Sequence, residues 1–154
     1  MGRSAGVKMK QFEQLDNVTR HTSRRFDRIA PLYGTMERLM ETGAYRSLRP
    51  LLWGLVEGEN ILEVGVGTGR NMPYYLAQAR ITAIDLSPCM LQRARKRATE
   101  LGCAVVLREM DVQELDFLDH SFDAVVSTFV FSSVPSPITG LREIRRVLRP
   151  GGRL

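Results

Sequence analysis

The segment Ile61-Leu-Glu-Val-Gly-Val-Gly-Thr-Gly-Arg70 constrains the fold more than any other part of the chain. It opens as an apolar run interrupted only by Glu63, then places glycine at alternate positions. An apolar, β-branched run that breaks into glycine reads as a buried parallel strand. Gly65, Gly67 and Gly69 let the backbone turn sharply and approach a ligand closely. Asn71-Met-Pro-Tyr-Tyr-Leu76 then starts a helix expected over about 70–78. Strand, glycine loop and helix in that order form the ligand-binding corner of an open α/β sheet.

The residues argue against a dinucleotide ligand, because the fingerprint G-x-G-x-x-G/A needs Gly or Ala where the chain has Arg70. That argues against an NAD-linked oxidoreductase. Glu63, two residues before the first glycine at the expected mouth of the site, repels phosphate and suits an ammonium group. S-adenosylmethionine carries an ammonium and a sulfonium, and no phosphate.

The chain in order supports a doubly wound parallel sheet. From Phe12 to about Val56, apolar residues recur at three- and four-residue steps, and Pro31, Gly43 and Pro50 divide the stretch into several helices. After residue 58, strands and helices alternate. Arg80–Asp85 reads as the second strand, Ala104–Arg108 as the third and Phe122–Phe129 as the fourth. Ser87-Pro88 and Ser136-Pro137 each make an N-cap with proline at the first helical position. The last helix turns Leu141, Ile144, Val147 and Leu148 inward, Pro150-Gly151-Gly152 stops it, and Arg153-Leu154 opens a fifth strand.

In such a sheet the carboxyl ends of the strands share one edge, which gathers the glycine loop, Asp85, Asp111 and Thr128-Phe129 at a single mouth. Asp85 lies one βαβ step after Glu63, where a carboxylate accepts both hydroxyls of a ribose. Asp111, with Val112, is placed to meet an adenine edge by a side-chain acceptor and a backbone N–H.

Glu63-x-Gly65-x-Gly67-x-Gly69, Asp85, Asp111 and Arg149-Pro-Gly-Gly152 together resemble a class I S-adenosylmethionine-dependent methyltransferase of Rossmann-like fold. Phe26-Asp-Arg-Ile-Ala-Pro-Leu-Tyr33-Gly-Thr-Met36 resembles the start of the ubiquinone/menaquinone-biosynthesis C-methyltransferases, although Gly34 stands where those enzymes usually carry Asp. The segment Phe122–Pro135 is similar to the broader methyltransferase type 11 group, which includes phospholipid N-methyltransferases and small-thiol methyltransferases. The resemblance implies that Glu63 and the Gly65, Gly67, Gly69 loop hold the methionine part of S-adenosylmethionine. It also implies that Asp85 grips the ribose with Leu86 beside the adenine, that Asp111 and Val112 read the adenine, and that Thr128 and Phe129 adjoin the reacting methyl. Tyr33 would close over the cofactor. Residues 1–57 then form an N-terminal helical lid and 58–154 the S-adenosylmethionine-binding domain. The family's later strands are missing, which suggests a truncated chain.

Composition limits the other classes. The 154 residues are 44% hydrophobic and 25% charged, ordinary for a soluble globular domain. The net charge of +5 is spread along the chain, with no basic patch interleaved with aromatics, so no nucleic-acid partner is expected and a nucleic-acid methyltransferase is the lesser reading. Arg20, Arg24, Arg25 and Arg28 could give the lid a peripheral membrane contact. Cys89 and Cys103 make no disulfide framework, and no apolar run approaches the ~18 residues of a membrane span, so a cytoplasmic protein is expected.

No metal-ligand spacing is present, so the expected transfer is metal-independent. His120 lies in a polar turn far from the mouth and His21 is no better placed, so no general base is assigned. The expected activity is methyl transfer to a small-molecule or lipid acceptor of quinone, phospholipid or thiol kind. The alternative is a truncated fragment that binds the cofactor without catalysis.

Overall fold

The computed structural model describes Thr22 and residues 47–154. Tyr33, Gly34, His21, the arginines at 20, 24, 25 and 28, and most of the expected lid lie outside the described residues. The first helix, α1 (Leu48–Gly54), carries Pro50 in its opening turn, where an absent N–H leaves no hydrogen bond unmade. Pro50 therefore marks the start of a helix; Pro31 and Gly43 lie outside the described residues.

The strands are β1 (Asn60–Val64), β2 (Arg80–Asp85), β3 (Val105–Glu109), β4 (Phe122–Ser127) and β5 (Leu148–Arg153), with helices α2 (Pro88–Leu101) and α3 (Pro137–Val147) between them. They form one sheet of order β3-β2-β1-β4-β5, every neighbouring pair parallel. Strand order reverses at β1, which pairs with β2 on one side and β4 on the other; Val64 stands level with Ile84 and with Ser127. A crevice opens there at the carboxyl ends, the usual ligand position in a doubly wound sheet.

Both faces of the sheet are covered, and strand parity decides which residue serves which face. Leu62, Val64, Ile84 and Val125 pack with Ile144 and Val147 of α3. Ile61, Ile81, Ala124 and Val126 pack with Trp53 of α1, and Ala83 packs with Leu91, Ala94 and Ala98 of α2. Glu63 alternates with Val64 and so shares the α1 face with Ile61. The Ser87 hydroxyl caps α2 by accepting from the Met90 N–H at 3.1 Å, with Pro88 at the first turn as the sequence predicts.

Four local expectations change. The stretch after the glycine loop is a single 3-10 turn, Met72–Tyr74, and Tyr75 is already extended, in place of a helix over 70–78. Pro73 and the side-chain anchors of Asn71 and Tyr75 described below turn the chain toward β2 before a helix can propagate. Ser136 does not cap α3 with its hydroxyl, which pairs with Thr139 Oγ1 at 2.8 Å. Leu141 is 39% exposed, and Gly140 takes the inward position because a Cβ there would crowd Phe131 and Val112. Finally, α3 ends at Val147 and β5 begins at Leu148, so Pro150-Gly151-Gly152 lies inside a strand. β5 pairs with β4 through an irregular register, and Gly152 permits it, since a Cβ there would stand 2.9 Å from the Asp123 carbonyl oxygen. β4 is thus an interior strand between β1 and β5; a proline is tolerated because β5 is outermost among the described strands.

Candidate cofactor site

The crevice between β1 and β4 is lined by Val64, Gly65, Val66, Gly67 and Arg70 of the glycine segment and by Ile84, Asp85, Leu86 and Met90 after β2. Met110, Asp111 and Val112 line it after β3, and Thr128, Phe129 and Val130 after β4.

The loop is held from β2: Gly65 and Val66 donate their N–H groups to the Ile84 carbonyl at 2.8 and 3.0 Å. Gly65 has φ +71°, and a Cβ on it would overlap Val130. Gly67 has φ +54° with no atom within 4 Å of the position a Cβ would take, so it faces open space in the crevice. Both conformations favour glycine, the first because of a neighbour and the second because of the backbone alone.

Asp85 reaches the rim from the end of β2. Its two oxygens accept from Gly67 N–H at 2.8 Å and Ser87 N–H at 2.9 Å, which fixes the carboxylate against the loop. Asp111 turns its carboxylate to its own turn, accepting from the Gln113 backbone N–H at 2.8 Å and from its side-chain amide at 2.9 Å. Val112 is buried and forms part of an apolar wall with Leu86, Met90 and Met110. Phe129 adopts φ +61°, rare for an aromatic residue, and leaves its ring 60% exposed with the Arg49 guanidinium 5.9 Å above it.

Two predicted residues do not line the crevice. Gly69 packs against Met72, behind the loop. Glu63 is 1% exposed and lies beneath the loop instead of at its mouth, because strand parity turns it toward α1. There it accepts from Tyr75 Oη and from Asn71 Nδ2 at 2.5 Å. Burial pushes its carboxyl up to about 7, against the pull of those hydrogen bonds and of Arg49. Burial, and then Glu63 itself, also raises the Tyr75 phenol.

Asn71, Tyr75 and Arg49 are the residues sequence reasoning missed. Asn71 is 2% exposed and also donates to Thr128 Oγ1 at 3.2 Å, while its Oδ1 accepts from Arg49 Nη1 at 2.7 Å. The only sequence signal was a polar and an aromatic residue spaced as if on a helix that does not form. His120 is exposed at the opposite end of the sheet, its Nδ1 2.9 Å from the Leu148 carbonyl oxygen. Cys89 is exposed on α2.

A family model described as a methyltransferase domain matches residues 62–154, more than half of the chain. The chain belongs to the methyltransferase domain family. It is 48% identical over 99 residues to a phosphatidylethanolamine N-methyltransferase of Cereibacter sphaeroides, covering 63% of this chain and 49% of the relative. It is 33% identical over 144 residues to a demethylmenaquinone methyltransferase of Renibacterium salmoninarum, covering 91% of this chain and 59% of the relative. The chain therefore spans about half to three-fifths of these curated relatives. The structure resembles a SAM-dependent methyltransferase of Thermotoga maritima with a TM-score of 0.66 and 30% identity, over 82% of this chain and 56% of that one.

S-adenosylmethionine is the cofactor that this methyltransferase family and its structural neighbours imply. The crevice fits it. Asp85 offers an anionic acceptor for hydroxyls, the Leu86, Met90, Met110 and Val112 wall offers an apolar slot for a flat base, and Gly67 leaves space where any side chain would intrude.

Proposed function

We propose that this chain is the cofactor-binding part of a methyltransferase that acts on a lipid or quinone-like small molecule. The observation that carries the reading is the convergence of the Gly65–Gly67 loop, Asp85 and the Asp111-Val112 wall on one crevice at the reversal point of the sheet. The named relatives support the acceptor class: one is called a phosphatidylethanolamine methyltransferase and another a demethylmenaquinone methyltransferase.

S-adenosylmethionine supplies a methyl group already activated on sulfonium, so alignment is the protein's main contribution. Good alignment is worth up to about 7–11 kcal/mol of barrier. In this reading Asp85 accepts the ribose hydroxyls and Leu86 and Val112 exclude water from the base. The Val112 N–H and the free lone pairs of Asp111 meet the base edge. Glu63 attracts the amino-acid ammonium from beneath the loop. Thr128 and Phe129, at the end of β4, border the acceptor side. No side chain of the described residues is assigned as general base.

Calorimetric titration of the 154-residue chain with S-adenosylmethionine and S-adenosylhomocysteine, with circular dichroism alongside, tests the reading. Micromolar binding by a folded chain is the expected result, abolished in Asp85→Ala. A folded chain that binds neither ligand would overturn it. Transfer of radiolabelled methyl to phosphatidylethanolamine vesicles or to a demethylated quinone then separates the two acceptor classes. Binding without transfer to any acceptor would leave the second reading, a cofactor-binding module without catalysis.

A further inference from the structure

Glu63 is held by two donors, and each is itself held by α1. Asn71 donates to Glu63 Oε1 and accepts from Arg49 Nη1 at 2.7 Å. Tyr75 donates to Glu63 Oε2, and its ring packs against Trp53 with centroids 4.7 Å apart. Arg49 and Trp53 are one helical turn apart, so they project from the same face of α1. Leu48, Leu51 and Leu55 take the opposite face and are 49%, 63% and 72% exposed. The inward face of this short helix thus contacts the two groups that position one buried carboxylate, and Arg49 also lines the crevice and lies over the Phe129 ring.

We infer that α1 is a clamp on the cofactor site: Arg49 and Trp53 are positioning residues that hold Asn71 and Tyr75, and through them the Glu63 carboxylate, in register beneath the glycine loop. The inference rests on the cofactor reading proposed above and adds to it a helix that precedes the family-matched region, residues 62–154. Several features support the clamp. Asn71 uses both amide hydrogens and its oxygen at once, on Glu63, Thr128 and Arg49, and so joins β1, the end of β4 and α1 at one point. Such a fully engaged amide tolerates no other orientation. Without Arg49 the Asn71 oxygen is left buried and the amide is free to rotate, which moves the donor away from Glu63. Arg49 also favours the ionised form of Glu63, the form that attracts an ammonium.

The clamp acts at the amino-acid end of the cofactor only. Arg49→Met is therefore expected to weaken S-adenosylhomocysteine binding by about tenfold, the order for losing a hydrogen bond to a charged group. It should leave 5′-methylthioadenosine, which lacks the amino-acid arm, within about twofold of the unsubstituted chain. Arg49→Lys, which keeps the charge and the stem, should recover part of the loss. Calorimetry on the full chain, with thermal melts of each variant, reads all of these. Equal loss for both ligands, or no loss for either, overturns the clamp while the unsubstituted chain still binds. If the unsubstituted chain binds neither ligand, the methyltransferase reading falls and the clamp falls with it. Asn71→Leu is the second variant, and it must show the same selective loss for the clamp to stand.

Discussion

Two carboxylates sit at opposite ends of the same sheet and are treated in opposite ways. Asp123, at the amino end of β4, accepts from the Asn60 and Glu59 N–H groups at 2.8 and 3.0 Å and pairs with Arg149 at 2.5 Å. Those backbone bonds, and Arg149, hold its carboxyl below the usual range even though partial desolvation opposes them. Glu63, near the carboxyl end of β1, is fully buried with two neutral donors, and its carboxyl is pushed up to about 7. Asp123 ties the starts of β1 and β4 to β5 and is charged throughout the neutral range. Glu63 is desolvated and near its midpoint at neutral pH, so the arrival of a cationic ligand would decide its charge. The contrast shows how the fold separates an ion pair that staples strands from an acid kept responsive beneath a ligand loop.

Substitutions at the two ends should break this contrast in different readouts. The largest effect is expected from Gly67→Arg, which places a side chain in the open crevice. Cofactor affinity should fall by about two orders of magnitude, while stability falls by only ~1–2 kcal/mol from the positive φ. Calorimetry and melting measure the two separately.

Next comes Glu63→Gln. Because the folded-state value lies above the ordinary 4.5, Glu63 contributes stability that is present below about pH 4.5 and is lost as pH rises to about 7. The unsubstituted chain should therefore lose on the order of 2 kcal/mol relative to Glu63→Gln between pH 5 and pH 8. Cofactor binding should run the other way, strengthening as pH rises through 7 in the unsubstituted chain and staying flat in the variant. Denaturant melts and titrations at both pH values check the signs.

Asp123→Ala should cost about 2 kcal/mol of stability, since it strips two charged-acceptor hydrogen bonds from the start of β1. It should leave the cofactor dissociation constant unchanged. Its pH slope is opposite to that of Glu63, with the contribution present above the ordinary aspartate value and lost as pH falls below it. A shift in cofactor affinity here would mean that the two ends are coupled.

The smallest effect is expected at the crevice rim. Phe129→Gly removes the penalty of φ +61° and little buried area, so the melting free energy should rise by ~0.5–1 kcal/mol while any methyl transfer falls. A loss of stability instead would show that the Arg49–Phe129 contact outweighs the backbone strain.

Much of the fold was legible because its signals are local and periodic. The apolar run before Gly65, the Ser87-Pro88 cap and the aspartate closing β2 each need only neighbouring residues to be read, and each appears where expected. The Pro150-Gly151-Gly152 segment misled because its composition argues against a strand, while pairing with β4 makes it one. The 3-10 turn over Met72–Tyr74 misled for the converse reason. Its helical composition is overridden by side-chain bonds to Glu63, which lies on a different element.

The sequence by itself determined the order of elements, the glycine loop and the spacing that brings Asp85 and Asp111 to one edge. Those follow from strand period, glycine freedom and the single handedness of parallel crossovers. Only the tertiary structure decided where the Glu63 carboxylate points, what holds it, and that α1 takes part, because its partners Asn71, Tyr75 and, through them, Arg49 and Trp53 come from segments whose meeting no local pattern encodes. Desolvation depends on everything packed around a group, so the raised Glu63 carboxyl is a property of the assembled fold.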